Sequence, residues 1–115
     1  MKALAVTTTM LFFGSIGQAQ TLSAAQAKSH EGESATVCGI VSGEHTATRS
    51  KGEPTFINLD SAYPNEVFTI VVWGDDRKNV GTLPPTKSRV CVTGLIKDYR
   101  GVPEIIVRSS GQFSK

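Results

Sequence analysis

Hydrophobic residues in this chain are concentrated in five short runs that are rich in β-branched and aromatic side chains. Glycine, proline and polar residues separate the runs, a pattern typical of β-strands joined by turns. The runs cover residues 35–42, 55–59, 67–73, 88–96 and 103–108. The first could continue to Thr48. Five short antiparallel strands can close into a small barrel, which removes most of the exposed strand edge.

A single short helix is predicted ahead of the strands, over residues 21–30. Its alanines favour a helix, and Thr21 or Ser23 can cap the first turn. The Glu-Gly-Glu sequence at 31–33 ends it. The pattern as a whole predicts an all-β domain with one N-terminal helix.

Alternation of side chains indicates which faces of the middle strands point outward. In the run 55–59, Ile57 and Leu59 suit a core, which would turn Phe56 and Asn58 outward; the opposite register stays open. In the run 67–73 both faces are largely apolar, so alternation does not decide. Trp73, at the end of that run, is either a stacking residue or a plug of the core.

Residues 1–19 have the features of a secretory signal peptide. Lys2 precedes an apolar run at 3–16, and small residues before position 20 favour cleavage after Ala19. Ala25-Gln26-Ala27 is a second candidate site, but it lies far from the apolar run. The alternative is an uncleaved membrane anchor, for which the run is short. We therefore expect a periplasmic or secreted protein with no membrane span after cleavage.

The charge balance of the chain is close to neutral. It carries 12 basic and 10 acidic residues, and removal of residues 1–19 leaves 11 basic ones. Proteins that bind nucleic acid strongly without sequence preference are usually much more basic. Composition alone therefore gives no argument for DNA or RNA as a partner.

Two cysteines, Cys38 and Cys91, are predicted to form a disulfide, because the thiols of a small exported domain usually pair. A pair of buried free cysteines is the alternative. His30 and His45 are not at ligand spacing to either cysteine, so no metal or other cofactor is predicted. The chain lacks a nucleophile elbow, a phosphate-binding glycine loop and a zinc-hydrolase motif, so we expect a binding protein rather than an enzyme.

Four segments together resemble a known fold: VCGIV, PTFINLD, VFTIVVWG and RVCVTGLIKDYRGVPEII. They resemble the oligonucleotide/oligosaccharide-binding (OB) fold, more narrowly its tRNA-anticodon type in a small exported bacterial single-domain form. The most specific part is V-x-G-x-[IV]-x-x-Y-x-G-x-P-E-I at 92–105. The resemblance implies a five-stranded Greek-key barrel over residues 33–112, after a short helix within 20–32.

Two features depart from that family. A helix usually joins the third and fourth strands, but Pro84-Pro85 leaves room here only for a turn, so the segment 22–29 is expected to close the barrel end. Lys87-Ser88-Arg89 replaces a glycine that often precedes the fourth strand. The implied strand order places the first strand beside the fourth, which brings Cys38 near Cys91 on the outer side of the barrel.

The resemblance also implies a binding face on the second and third strands, flanked by the loop between strands one and two and the loop between strands four and five. A phenylalanine at the position of Phe56 stacks on a base in that family. Further candidates for base or phosphate contacts are Asn58, Trp73, Tyr99, Arg100, Arg49, Lys51 and Arg77. Each basic residue taken alone is most often only a solvated surface charge.

Two functions follow from these expectations. The first is weak, salt-sensitive binding of single-stranded DNA or RNA, or of another oligoanion, through this face. The second is binding of another envelope protein or of a small ligand, without nucleic-acid activity. The acidic residues that lie among the basic ones favour the second.

Overall fold

The computed structural model describes residues 20–115, and the predicted signal peptide with its cleavage site after Ala19 lies outside the described residues. Within 20–115 the chain forms eight strands: β1 Gln20–Ser23, β2 Ser34–Thr46, β3 Thr55–Leu59, β4 Phe68–Val72, β5 Arg89–Leu95, β6 Lys97–Tyr99, β7 Val102–Ile106 and β8 Phe113–Ser114. Its helical segments are the 3₁₀ helices Ala24–His30, Gly74–Asp76 and Ser110–Gln112 and one α-helical turn, α1, Arg77–Val80. The predicted β character is confirmed.

The strands form one sheet in the order β6-β7-β4-β3-β2-β5-β8, with β1 paired in parallel to β2. The five predicted strands correspond to β2, β3, β4, β5 and β7, but β4 and β7 pair in parallel. The predicted closed barrel of exactly five strands is not confirmed, because there are eight strands and the sheet is open. Between β5 and β6, the N–H of Ile96 donates to the Glu33 carbonyl at 2.9 Å, and the Ile96 carbonyl accepts from the Gly32 N–H at 2.8 Å. The backbone at this point therefore pairs with the loop that precedes β2.

The core lies beneath β2, β3, β4, β5 and β7. Phe68, Ile70 and Val72 are fully buried, which settles the orientation of β4 that alternation left open. Ile57 and Leu59 of β3 are also fully buried, as the pattern predicted. Burial of each such side chain contributes about 1.5–3 kcal/mol.

The N-terminal helix is a 3₁₀ helix over residues 24–30 that follows a short strand. Ser23 caps it: its hydroxyl accepts from the Gln26 N–H, and its own N–H donates to Gln26 Oε1 at 2.9 Å. Ala24 and Ala27 are both fully buried in the core. Three-residue spacing puts them on one face of a 3₁₀ helix, which packs against β2, β4 and β7 as expected for a segment that covers the end of the sheet.

The predicted disulfide is confirmed. Cys38 of β2 and Cys91 of β5 are directly opposed in the antiparallel ladder, with their Cα atoms 4.0 Å apart. Val90 and Val92, on either side of Cys91, point into the core, so the bridge lies on the other face of β5. Both cysteines are nevertheless buried, and Cys91 is paired with Ser114 of β8.

A candidate ligand-binding groove

A groove of about 770 Å³ lies on the outer face of β3, β4 and β7. The loop of residues 60–67, between β3 and β4, contributes Tyr63 and Glu66 to its lining, and the hairpin of β6 and β7 forms a lip. The lining residues are His45, Phe56, Asn58, Tyr63, Glu66, Thr69, Tyr99, Arg100, Val102 and Glu104. We call this the β3–β4 groove.

The floor of the groove is one rung of the sheet. Strand register places Asn58, Thr69 and Glu104 side by side on β3, β4 and β7. The Thr69 hydroxyl donates to Asn58 Oδ1 at 2.9 Å, and both residues are buried. Because Oδ1 is occupied, the Asn58 amide has its N–H donors left for a ligand. Gly43 continues the rung on β2 and leaves space there, since a Cβ at that position would lie 4.0 Å from Ala62.

Three aromatic residues border the floor. Phe56 is the next outward residue along β3; it is half-buried and lines the groove instead of joining the core. Tyr99 on the hairpin is 52% exposed, and Tyr63 on the loop is 79% exposed. Flat rings with an open face are suited to stacking on planar ligands such as nucleobases.

The lip of the groove is a tight hairpin whose tip carries a cation. Arg100 and Gly101 form a two-residue connection with φ of 52° and 86°. Two positive φ values in such a loop define a type I′ turn, which normally favours Asn-Gly. The Arg100 guanidinium lies 5.3 Å from the centroid of the Tyr99 ring, within cation–π distance.

Two carboxylates, those of Glu66 and Glu104, give the groove an acidic character, and neither residue was predicted as part of the site. Burial raises the pKa of Glu104; Lys97, which faces it across the ladder, lowers this pKa, and Asp98 raises it. In Glu66, the Oε2 atom is buried and has no hydrogen-bond partner within residues 20–115. Arg100 is the only Lys or Arg among the lining residues of this groove.

Half of the predicted site residues lie together in the groove: Phe56, Asn58, Tyr99 and Arg100. The other four are not part of its lining: Arg49, Lys51, Trp73 and Arg77. The Arg77 guanidinium donates to the hydroxyl of the fully buried Thr55 at 2.8 Å. Trp73 is 39% exposed and packs against the loop at Gly52, where a Cβ would lie 2.9 Å from Trp73 Cε3. Trp73 is therefore neither a core plug nor a groove residue.

The lining residues that the sequence did not predict are His45, Tyr63, Glu66, Thr69, Val102 and Glu104. One available signal was the alternation in β7, where Glu104 lies between the buried Pro103 and Ile105. Within residues 20–115, no three His, Cys, Asp or Glu side chains are grouped so that they could hold a metal ion. A second cavity of about 780 Å³ is lined by Leu83, Pro84, Pro85, Phe113 and their neighbours, and it shares no lining residue with the β3–β4 groove.

No family model matches this sequence, and no curated protein matches it. Among solved structures, it is similar to a chain described as an aspartyl-tRNA synthetase from Leishmania major Friedlin, with 16% identity and a TM-score of 0.54. The match covers 93% of this chain and 22% of the other. The chain thus spans about a fifth of that structure, and the likeness supports an OB-like fold.

Proposed function

We propose that this protein is a binding module for single-stranded nucleic acid that holds its ligand mainly through the bases. The proposal is supported by the β3–β4 groove, whose lining combines the rings of Phe56, Tyr63 and Tyr99 with the polar floor of Asn58 and Thr69. Rings provide stacking, and the amide supplies hydrogen bonds to a base edge. The proposed role is binding rather than catalysis.

The charges in the groove favour base contacts over phosphate contacts. Arg100 supplies a single positive charge, whereas Glu66 and Glu104 supply two carboxylates. A ligand held in this way neutralises about one phosphate, so the logarithm of the affinity should fall with the logarithm of salt concentration with a slope of about −0.7. The slope would be steeper if Arg49, Lys51 and Arg77 also contacted phosphates in the same site, as the sequence predicted.

The fold and the disulfide support this proposal in separate ways. The OB-like fold is compatible with a ligand lying across the outer face of β3 and β4. The Cys38–Cys91 bridge is compatible with an oxidising compartment, and we propose that the protein acts in the periplasm or outside the cell. Among residues 20–115, no helix is long and apolar enough to cross a membrane.

Fluorescence anisotropy with labelled single-stranded DNA tests the proposal. We expect micromolar binding at low salt, weakened about 5- to 150-fold by Phe56→Ala, because one base–aromatic stack contributes about 1–3 kcal/mol. Leu95→Ala is the matched control, since it removes an apolar side chain that is 49% exposed and lies outside the groove. No binding at high micromolar concentration, or equal losses in both variants, would refute the proposal.

A second candidate function is binding of an envelope protein or a small ligand, which the carboxylates Glu66 and Glu104 favour. A pulldown from periplasmic extract with wild type and a Tyr99→Ala, Arg100→Ala variant distinguishes the two. Retention of a protein partner by the variant, together with absence of oligonucleotide binding by the wild type, would select the second function.

A further inference from the structure

The loop of residues 60–67 places one carboxylate oxygen in an environment that lacks a hydrogen-bond donor. Glu66 lines the β3–β4 groove, and its Oε2 atom is buried without a partner in the described part of the chain. A carboxylate oxygen only accepts hydrogen bonds, so the missing group must be a donor. A buried acceptor without a donor is unfavourable, and a ligand that brings an N–H group to it removes that penalty.

The position of this loop is fixed at its start by the sheet. The Asp60 N–H donates to the Ile40 carbonyl at 2.8 Å, and Asp60 Oδ1 accepts from the Ile40 N–H at 2.8 Å. A turn follows, in which the Asn65 N–H donates to the Ala62 carbonyl at 2.9 Å. These contacts hold the part of the loop that directly precedes Glu66, and Glu66 itself lines the groove.

The rest of the floor offers a complementary set of groups. Glu104 provides a second carboxylate acceptor, and the Asn58 amide provides donors because its oxygen accepts from Thr69. Among nucleobases, cytosine, adenine and guanine carry an exocyclic amino group, which has two N–H donors for such acceptors. Uracil and thymine present a carbonyl oxygen at the place of the cytosine amino group and offer only the single ring N3–H, one donor for two carboxylates. A carbonyl facing a carboxylate leaves both acceptors without a donor.

From these contacts we infer that Glu66 is a specificity-determining residue that makes the groove select bases with an exocyclic amino group over uracil and thymine. The inference rests on the proposed function, since it assumes that a base occupies the groove. Stacking on the aromatic rings does not distinguish one base from another, because every base has a face on which to stack. The Glu66 carboxylate would distinguish them by the donors on the base edge.

The most direct comparison uses two labelled 12-nucleotide strands, dC12 and dU12, which share a backbone and a pyrimidine ring and differ in the base edge. Wild-type protein should bind dC12 at least about fivefold more tightly than dU12 by anisotropy. Glu66→Gln, which keeps the shape of the side chain and adds an amide donor, should bring the two affinities within about twofold. Glu44→Gln, on an exposed glutamate of β2 outside the groove, should leave the preference unchanged.

The outcomes separate this inference from the function on which it rests. Equal affinity of wild type for both strands, or an unchanged preference in folded Glu66→Gln, overturns the inference and leaves the proposed function standing. Failure of the wild type to bind either strand overturns both. If Glu66→Gln does not fold, Glu66→Ala serves as the second variant, and equal wild-type affinities overturn the inference without either variant.

Discussion

Removal of the Cys38–Cys91 disulfide should cost this domain a large part of its stability. The bridge joins residues separated by 53 positions, and in the chain-entropy model a loop of that length restricts the unfolded state by about 4 kcal/mol. A domain of about 100 residues has a total free energy of unfolding of about 5–15 kcal/mol. The Cys38→Ala, Cys91→Ala variant should therefore unfold at a urea concentration about 2 M lower than the oxidised wild type, for a slope near 2 kcal/mol per M.

Urea titration followed by circular dichroism measures this difference, with reduced wild type as a second form that lacks the cross-link. The matched control is Thr36→Ala, Thr93→Ala. These threonines face each other in the same β2–β5 ladder and are hydrogen-bonded through their hydroxyls at 2.6 Å. Loss of that pair should cost only about 1 kcal/mol. A cysteine variant that loses less than about 1 kcal/mol, or no more than the threonine variant, would refute the loop-entropy reasoning.

Three further changes have defined expectations. Arg100→Asn should raise the free energy of unfolding by up to about 1 kcal/mol, because asparagine suits the φ of 52°, while flattening the salt dependence of oligonucleotide binding. Burial raises the pKa of Glu104, so the free energy of unfolding should fall as pH rises from the ordinary carboxyl pKa through the raised one. In urea titrations at a series of pH values, Glu104→Gln should not show this fall. The variant should also be more stable than wild type at pH 7. Gly94→Ala should destabilise by about 1–3 kcal/mol in thermal melts, since its Cβ would lie 2.7 Å from Ile105 Cγ2. An unchanged salt slope in Arg100→Asn, an unchanged pH profile in Glu104→Gln or an unchanged melting temperature in Gly94→Ala would each contradict the expectation for that variant.

Much of the fold could be predicted from local patterns because the main strands are regular. Thr55–Leu59 was predicted with its observed bounds, and the other main strands differ by a few residues at their ends. The short strands β1, β6 and β8 have two to four residues each and carry little alternation of their own. Their pairing depends on distant partners, such as the contact of Cys91 with Ser114, which no local pattern specifies.

The groove was predictable only where a residue's role follows from its strand. Phe56 and Asn58 alternate with buried aliphatic residues, and Tyr99 and Arg100 occupy an evident turn. Thr69 was missed because both faces of β4 are apolar, so the burial of Phe68 and Ile70 had to be seen in three dimensions.

Tyr63 and Glu66 were missed for a different reason. They lie in an irregular loop whose path depends on hydrogen bonds between Asp60 and Ile40. The predicted basic residues Arg49 and Lys51 lie in the loop after β2, outside the lining of the groove. The sequence shows that they are near a strand end, but it does not show in which direction the loop leaves the sheet.

A two-dimensional ¹H–¹⁵N NMR titration of the protein with dC12 tests most directly whether single-stranded nucleic acid binds in the β3–β4 groove. The largest shift changes should fall on the backbone amides of the groove, including Asn58, Thr69, Tyr99 and Glu104. The amides around Leu83 and Phe113, at the second cavity, should stay in place. Shift changes that are concentrated at the second cavity or around Arg77, with none on the floor of the β3–β4 groove, would show that the oligonucleotide does not bind in this groove.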